Sequence, residues 1–364
     1  MMSSSNPVNP GQPLQATINK YTGGNDFQQK HVKDLHGICS PQTAVVTGGT
    51  AGIGYEVAKS LVLAGARVVA LSRKPEHGDD ALNSIKEAAA QIHGHSGRVD
   101  FHFVKCDFGS LKEVRAVADR VAREEERIDI LINDAGIGVS NYALDADGIE
   151  RIFGVNVVGH FLFINRLLPT IRKTARAHSV VPRIVNLTSN MHKLAPGTCK
   201  FASLAEINDD SLRPDAYYER SKLAIILYTR ALATRVLAPS TSDEKILTCS
   251  VHPGAVATEI QEQFKQAFGV AAGALVKALQ VSLMRSPAEG SLGTLWAAVA
   301  PEVEGRFGEV HGAYIPDPGK IGGETKQAQD ATLEENVWRL CESLIKEKAG
   351  ADALYPWDEG SQKA

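Results

Sequence analysis

An apolar run that breaks into glycines and then into a helix dictates how this chain begins to fold. Ala44-Val45-Val46 leads into Thr47-Gly48-Gly49-Thr50-Ala51-Gly52-Ile53-Gly54. A helical pattern follows at once, with Val57, Leu61 and Ala64 at i, i+4 and i+7 and Gly65 as a stop signal. Glycines at 48, 52 and 54 let the backbone turn tightly and let an anion approach the free N–H groups at the helix start, where the helix dipole favours negative charge. The spacing Gly-x-x-x-Gly-x-Gly is not the Gly-x-Gly-x-x-Gly dinucleotide fingerprint, and no Lys-Ser/Thr pair follows to make a P-loop. A glycine-rich turn with no ligand is the plain alternative. The strand before the loop and the helix after it favour a nucleotide site.

From there the chain alternates. Apolar runs at residues 68–71, 99–104, 128–132, 183–188 and 245–251 are separated by helical patterns at 79–92, 111–125, 149–174 and 216–237. Such alternation is the pattern of βαβ units, so the expected fold is α/β: a single doubly wound, Rossmann-type parallel sheet with helices on both faces. Residues 259–301 read as mostly helical, 311–315 as a last strand and 332–348 as a closing helix. The expected organisation is a polar, disordered tail at 1–25, one Rossmann-type domain at 26–350 and a C-terminal tail at 351–364.

Bulk properties exclude several classes. A net charge of −3 with both signs dispersed makes no case for nucleic acid or an anionic membrane as partner. Five well-separated cysteines without a CxxC pair suit a reducing compartment and suggest no zinc or other metal site. There is no secretory pattern at the N-terminus and no long unbroken apolar stretch, so a cytoplasmic protein without a membrane span is expected.

A dinucleotide site needs a partner for the adenosine ribose about 20 residues beyond the glycines. Ser72, Arg73 and Lys74 stand there, with no acid. A guanidinium can pair with a 2′-phosphate, so Arg73 points to NADP(H) over NAD(H). Tyr218 and Lys222 lie four apart on a predicted helix, hence on one face. A phenol with a reference pKa of about 10 is a poor acid at neutral pH, and a nearby ammonium makes its proton exchange feasible. Alone, such a pair is commonplace in long helices.

Taken in order, Thr47-Gly48…Gly52-Ile53-Gly54, Asn133-Asp134-Ala135-Gly136, Asn156, Ser189 and Tyr218-x-x-x-Lys222 resemble the short-chain dehydrogenase/reductase family, over residues 35–344. The resemblance implies that Tyr218 is the general acid/base and that Lys222 lowers its pKa and binds the nicotinamide ribose. Ser189 would hydrogen-bond the substrate oxygen, and Asn156 would hold a water in a proton relay from Lys222. Asp107 with Phe108 would meet the adenine, though Asp107 could equally cap the next helix. Asp134, Ala135 and Gly136 would lie along the ribose, and Pro253, Val256 and Thr258 would meet the nicotinamide carboxamide and phosphates. The resemblance expects Asn where this chain has Asp134, and often a base where it has Ala51.

Arg183-Ile184-Val185-Asn186-Leu187-Thr188-Ser189 with His192, Leu223-Ala224 after Lys222, His252-Pro253-Gly254 and Trp338 look most like the retinol dehydrogenase-like and WW-domain oxidoreductase-like branch. That branch implies a small hydrophobic carbonyl or alcohol substrate and leaves room for a homodimer. Met191, Leu194, Phe201, Leu204 and Ile207 are expected to supply a flexible apolar wall over the nicotinamide. Two other readings compete: a catalytically idle NADP(H)-binding protein, and an epimerase-like sugar-nucleotide enzyme. The joint presence of Ser189, Tyr218, Lys222 and Asn156 speaks against the first, and the absence of Gly-x-x-Gly-x-x-Gly against the second.

Overall fold

Strands that are apolar on both faces must be covered on both, and here they are. The computed structural model describes residues 39, 41–93, 99–238, 245–256 and 285–358. Its strands are β1 (Thr43–Thr47), β2 (Arg67–Ser72), β3 (Phe101–Lys105), β4 (Ile130–Asn133), β5 (Arg183–Leu187), β6 (Leu247–Val251) and β7 (Tyr314–Ile315). They form one seven-stranded sheet in the order β3-β2-β1-β4-β5-β6-β7, parallel throughout. The major helices are α1 (Gly52–Leu63), α2 (Glu76–His93), α3 (Leu111–Glu124), α4 (Arg151–His178), α5 (Pro214–Ala231), α6 (Pro287–Val299) and α7 (Ala331–Ala349).

Every residue of β1, β4, β5 and β6 is buried. Successive strand side chains point to opposite faces, and they feed two separate cores. Val45, Leu131 and Ile184 join the core beneath α3, α4, α5 and α7. Ala44, Val46, Ile130, Ile132 and Val185 join the core beneath α1, α2 and α6. The expected doubly wound sheet is therefore observed, down to the short seventh strand.

Strand order reverses direction at β1, which has β2 on one side and β4 on the other. The loops leaving the carboxyl ends of β1 and β4 part there, and ligands of open α/β sheets bind at such a crevice. The helix α4 is long and apolar enough to cross a membrane by length and mean composition alone, but 94% of its apolar window is buried inside the fold. It is a core helix, with a π-helical turn at Gly154–Gly159.

Residues 351–358, expected as a tail, are packed. Ala353 is fully buried, and Trp357 stacks edge-on to Phe161 at 5.1 Å and lies 4.7 Å from Trp338. Arg166, held by Asp119 at 2.6 Å, donates to the Tyr355 hydroxyl at 2.7 Å and lies over its ring. Aromatic surface and a buried guanidinium that needs acceptors are what draw this segment in. The expected tail at 1–25 and the helical stretch at 259–284 lie outside the described residues. Trp357→Ala should destabilise the protein by about 2–3 kcal/mol, less than the roughly 3–5 kcal/mol of a fully buried aromatic because Trp357 is half-buried. Urea unfolding measures this, and a change below about 0.5 kcal/mol would show that the segment adds nothing.

Candidate active site

The glycine loop begins where β1 ends. Gly48 and Gly52 adopt φ of +71° and +58°, conformations that side chains rarely tolerate. A Cβ on Gly54 would lie 2.5 Å from the Gly48 carbonyl oxygen and 2.6 Å from Asp134 Oδ2, so no larger residue fits there. Several features of this loop fit the pyrophosphate of a dinucleotide. Ala51, at the N-cap of α1, offers no side-chain cap, and the first turn holds no acid. The Thr50 hydroxyl is buried without a hydrogen-bond partner. Asp134 takes the Gly54 N–H, and the remaining first-turn N–H groups and the orphaned hydroxyl are suited to an anion.

The loop after β4 is locked to β1 by Thr47. Its hydroxyl oxygen accepts from the backbone N–H groups of Asp134 and Ala135, each at 3.0 Å. The same hydroxyl lies 3.0 Å from His160 Nε2, while His160 Nδ1 lies 2.9 Å from the Val155 carbonyl. Only one hydrogen is available on the hydroxyl, so Thr47 donates to Nε2 and Nδ1–H donates to Val155. Burial pushes the His160 pKa down to about 3, which agrees with this neutral tautomer. Phe108 stacks on His160 at 4.3 Å, so its ring faces the core and only its backbone is left for a ligand.

Ser189 follows β5, and its hydroxyl acts on that of Tyr218, projecting from α5, so as to favour its ionisation. Thr188, the other candidate hydroxyl, donates to the Lys222 carbonyl at 2.7 Å and is thereby committed. Burial drives the Tyr218 pKa up to about 12; the Ser189 hydrogen bond lowers it and the Asp134 charge raises it. Lys222 Nζ sits 5.4 Å from the Tyr218 ring centre and donates to the Leu187 carbonyl at 3.0 Å. Burial pushes Lys222 down to about 8 and Asp134 up to about 7, and each is partly restrained by the other's charge. Desolvation outweighs the acidifying contact from Ser189.

Asn156 lies in the π-helical turn. Its Oδ1 accepts from the Ile137 N–H at 2.8 Å, and its amide group donates to the Ile137 carbonyl at 3.0 Å and to Ser221 Oγ at 3.1 Å. Both amide hydrogens are thus spent on protein, and the side chain straps the loop after β4 to α5. Asp107 accepts from the Gly109 N–H at 2.9 Å, whereas the helix cap of α3 is Ser110. Arg73 is exposed at the end of β2. Pro253 and Val256 follow β6 at the same end of the sheet as the glycine loop; Thr258 lies outside the described residues. Arg285 donates to the Pro253 carbonyl at 3.2 Å and to Asp317 at 2.5 Å, fastening this turn.

The segment between Ser189 and Tyr218 is anchored, contrary to the flexible wall expected from sequence. Phe201 and Ile207 belong to the main core, and Leu194 is 64% exposed. Glu206 accepts from the N–H groups of Lys200, Phe201 and Ala202 at 2.7–2.9 Å. Arg220, from α5, holds the Glu206 and Ile207 carbonyls at 3.0 and 2.7 Å. Around the Tyr218 ring lies instead a small apolar cluster of Val139, Ile152 and Tyr217, flanked by Tyr142, Met191 and Leu212. Of these, sequence reasoning singled out only Met191. Thr47 and His160 were also passed over as partners; only contacts across the fold pair them.

The family of short chain dehydrogenases matches residues 42–201. Retinol dehydrogenase 14 of Mus musculus is 30% identical over 92% of this chain and 95% of its own length. Polyprenol dehydrogenase of Homo sapiens is 32% identical over 83% of this chain and 84% of its own. Among solved structures, the Pseudomonas aeruginosa RhlG/NADP active-site complex superposes with a TM-score of 0.56 at 23% identity, over 77% of this chain and 96% of that one, a likeness of fold. With its parallel sheet, glycine loop and Ser189–Tyr218–Lys222 constellation, the chain belongs to the short-chain dehydrogenase/reductase family, on its retinol dehydrogenase-like side, and is a nicotinamide-dependent oxidoreductase.

Proposed function

We propose that the chain is an NADP(H)-dependent oxidoreductase acting on a bulky hydrophobic carbonyl or alcohol. The observation that carries this reading is the Ser189 hydroxyl acting on Tyr218, with Lys222 Nζ 5.4 Å from the phenol ring, at the carboxyl end of the sheet beside the glycine loop. The nicotinamide supplies or accepts the hydride when bound. Tyr218 gives its hydroxyl proton to a carbonyl oxygen in reduction and takes it back in oxidation. Ser189 orients that oxygen by donating a hydrogen bond to it beside Tyr218. Lys222, held on the Leu187 carbonyl, keeps a positive charge near the phenol through neutral pH and favours the phenolate as it forms. Asn156 acts by position, fixing Ile137 relative to α5.

Arg73 is the residue we assign to the 2′-phosphate. No ion pair engages it among the described residues, and a guanidinium suits a phosphate's geometry. The apolar cluster of Val139, Tyr142, Met191 and Leu212 around Tyr218 supports a hydrophobic substrate. Relatives named for retinol and polyprenol act on long apolar alcohols, which agrees with that reading. All five cysteines are free and buried, in keeping with a reducing, cytoplasmic setting.

Tyr218→Phe should lower kcat by on the order of a hundred- to ten-thousand-fold while leaving NADPH affinity intact. Single-turnover kinetics and a fluorescence titration check both halves; turnover within about tenfold of wild type would assign the proton to another group. Arg73→Asp should weaken NADPH by about ten- to a hundredfold and NADH much less, because a like charge then faces the phosphate. Parallel titrations measure the ratio, and an unchanged preference would place the 2′-phosphate elsewhere. A screen of polycyclic and long-chain ketones against three- and four-carbon aldehydes under NADPH tests the substrate class. Higher kcat/KM is expected for the large ketones, and equal or better turnover of the small aldehydes would remove the apolar pocket.

A further inference from the structure

We infer that Asp134 takes up a proton when the dinucleotide binds, which makes this protein's hold on its cofactor pH-dependent. The inference rests on the glycine loop being the dinucleotide site. Among the described residues, Asp134 is the acid whose carboxylate enters that loop. Its Oδ2 lies 2.6 Å from where a Cβ on Gly54 would stand and 3.2 Å from the corresponding point on Gly48, and it accepts a hydrogen bond from the Gly54 N–H. A negative charge is thus already seated at the N-terminus of α1, the feature of the loop that would favour a pyrophosphate.

Few charges stand around it. The loop from Thr47 to Gly54 contributes none. From α5 come the Lys222 ammonium, which interacts favourably with the carboxylate, and the neutral Tyr218 phenol, which feels its charge. From α4 comes His160, neutral and joined to the Asp134 backbone through Thr47. Among the described residues, one cation therefore answers one carboxylate before any ligand arrives. Burial already holds the Asp134 pKa at about 7, so a modest change in local charge moves its protonation. Adding a pyrophosphate beside the same helix end disfavours the ionised carboxylate by like-charge repulsion, and raises that pKa further. By linkage, binding then consumes a proton above the free-protein pKa, and affinity falls as pH rises through it. A neutral carboxyl still accepts from the Gly54 N–H, so the loop keeps its shape.

The test is the Asp134 carboxyl carbon followed by 13C NMR through a pH titration of the full chain, with and without saturating NADPH. Asp134→Asn assigns the resonance by its disappearance; if that variant does not fold, Asp134→Glu assigns it by displacement. An upward shift of about one unit on adding NADPH is expected, with a Kd that weakens about tenfold between pH 6 and pH 8.5 in calorimetry. A carboxyl pKa that stays in place or falls when NADPH binds overturns the inference and leaves the site reading intact. Failure of both NADPH and NADH to bind at any pH overturns the site reading, and the inference with it.

Discussion

The site depends on one hydroxyl. Thr47 closes β1, and through its single oxygen it holds the first two backbone N–H groups beyond β4 and donates to a buried neutral histidine on α4. Three elements that are far apart in the chain meet at this atom, at the point where the sheet changes its winding direction. Without that tie the two loops would be free to part, and the glycines would have nothing to close against. The close approach of Gly48 to Ala135, where an added Cβ would stand 3.0 Å from backbone, is the geometric consequence.

Helix α5 works on two sides of the same few residues. Tyr218 and Lys222 reach toward the sheet's carboxyl end, while Arg220 between them points away and holds the Glu206–Ile207 carbonyls. Arg220 also faces Glu150 at 3.5 Å with both side chains buried, and Glu150 in turn caps α4 by accepting from Ile152 and Phe153. Removing either partner of a buried ion pair typically costs about 3–5 kcal/mol, because the survivor is left unanswered. The catalytic face of α5 is thereby positioned by a polar anchor on its other face. Positioning by Arg220 also explains why the segment over the site is fastened at its far end and apolar at its near end, beside Tyr218.

The electrostatics of the centre follow from burial more than from pairing. Tyr218, Lys222 and Asp134 are each moved toward their neutral forms by desolvation, and their mutual attractions and repulsions only trim those shifts. A site poised in this way changes protonation readily when a charged ligand enters, which general acid/base chemistry exploits.

Much of this was legible in the chain itself. Alternating apolar runs specify a parallel sheet because strands covered on both faces can have no polar side. The positive-φ turns at Gly48 and Gly52 require glycine for steric reasons that do not depend on the rest of the fold. The four-residue spacing of Tyr218 and Lys222 places them on one helix face by helix geometry alone. Tertiary structure decided the rest, because those choices are contacts between residues remote in sequence. It committed Thr188 to the Lys222 carbonyl and so left Ser189 for Tyr218; it spent the Asn156 amide on Ile137 and Ser221; and it turned Phe108 and Phe201 into the core. It also drew residues 351–358, expected as a C-terminal tail, onto α4 through Arg166 and Phe161. Periodicity and local sterics are written along the chain, whereas which partner a hydroxyl, an amide or an aromatic ring finds is settled only when distant segments are packed together.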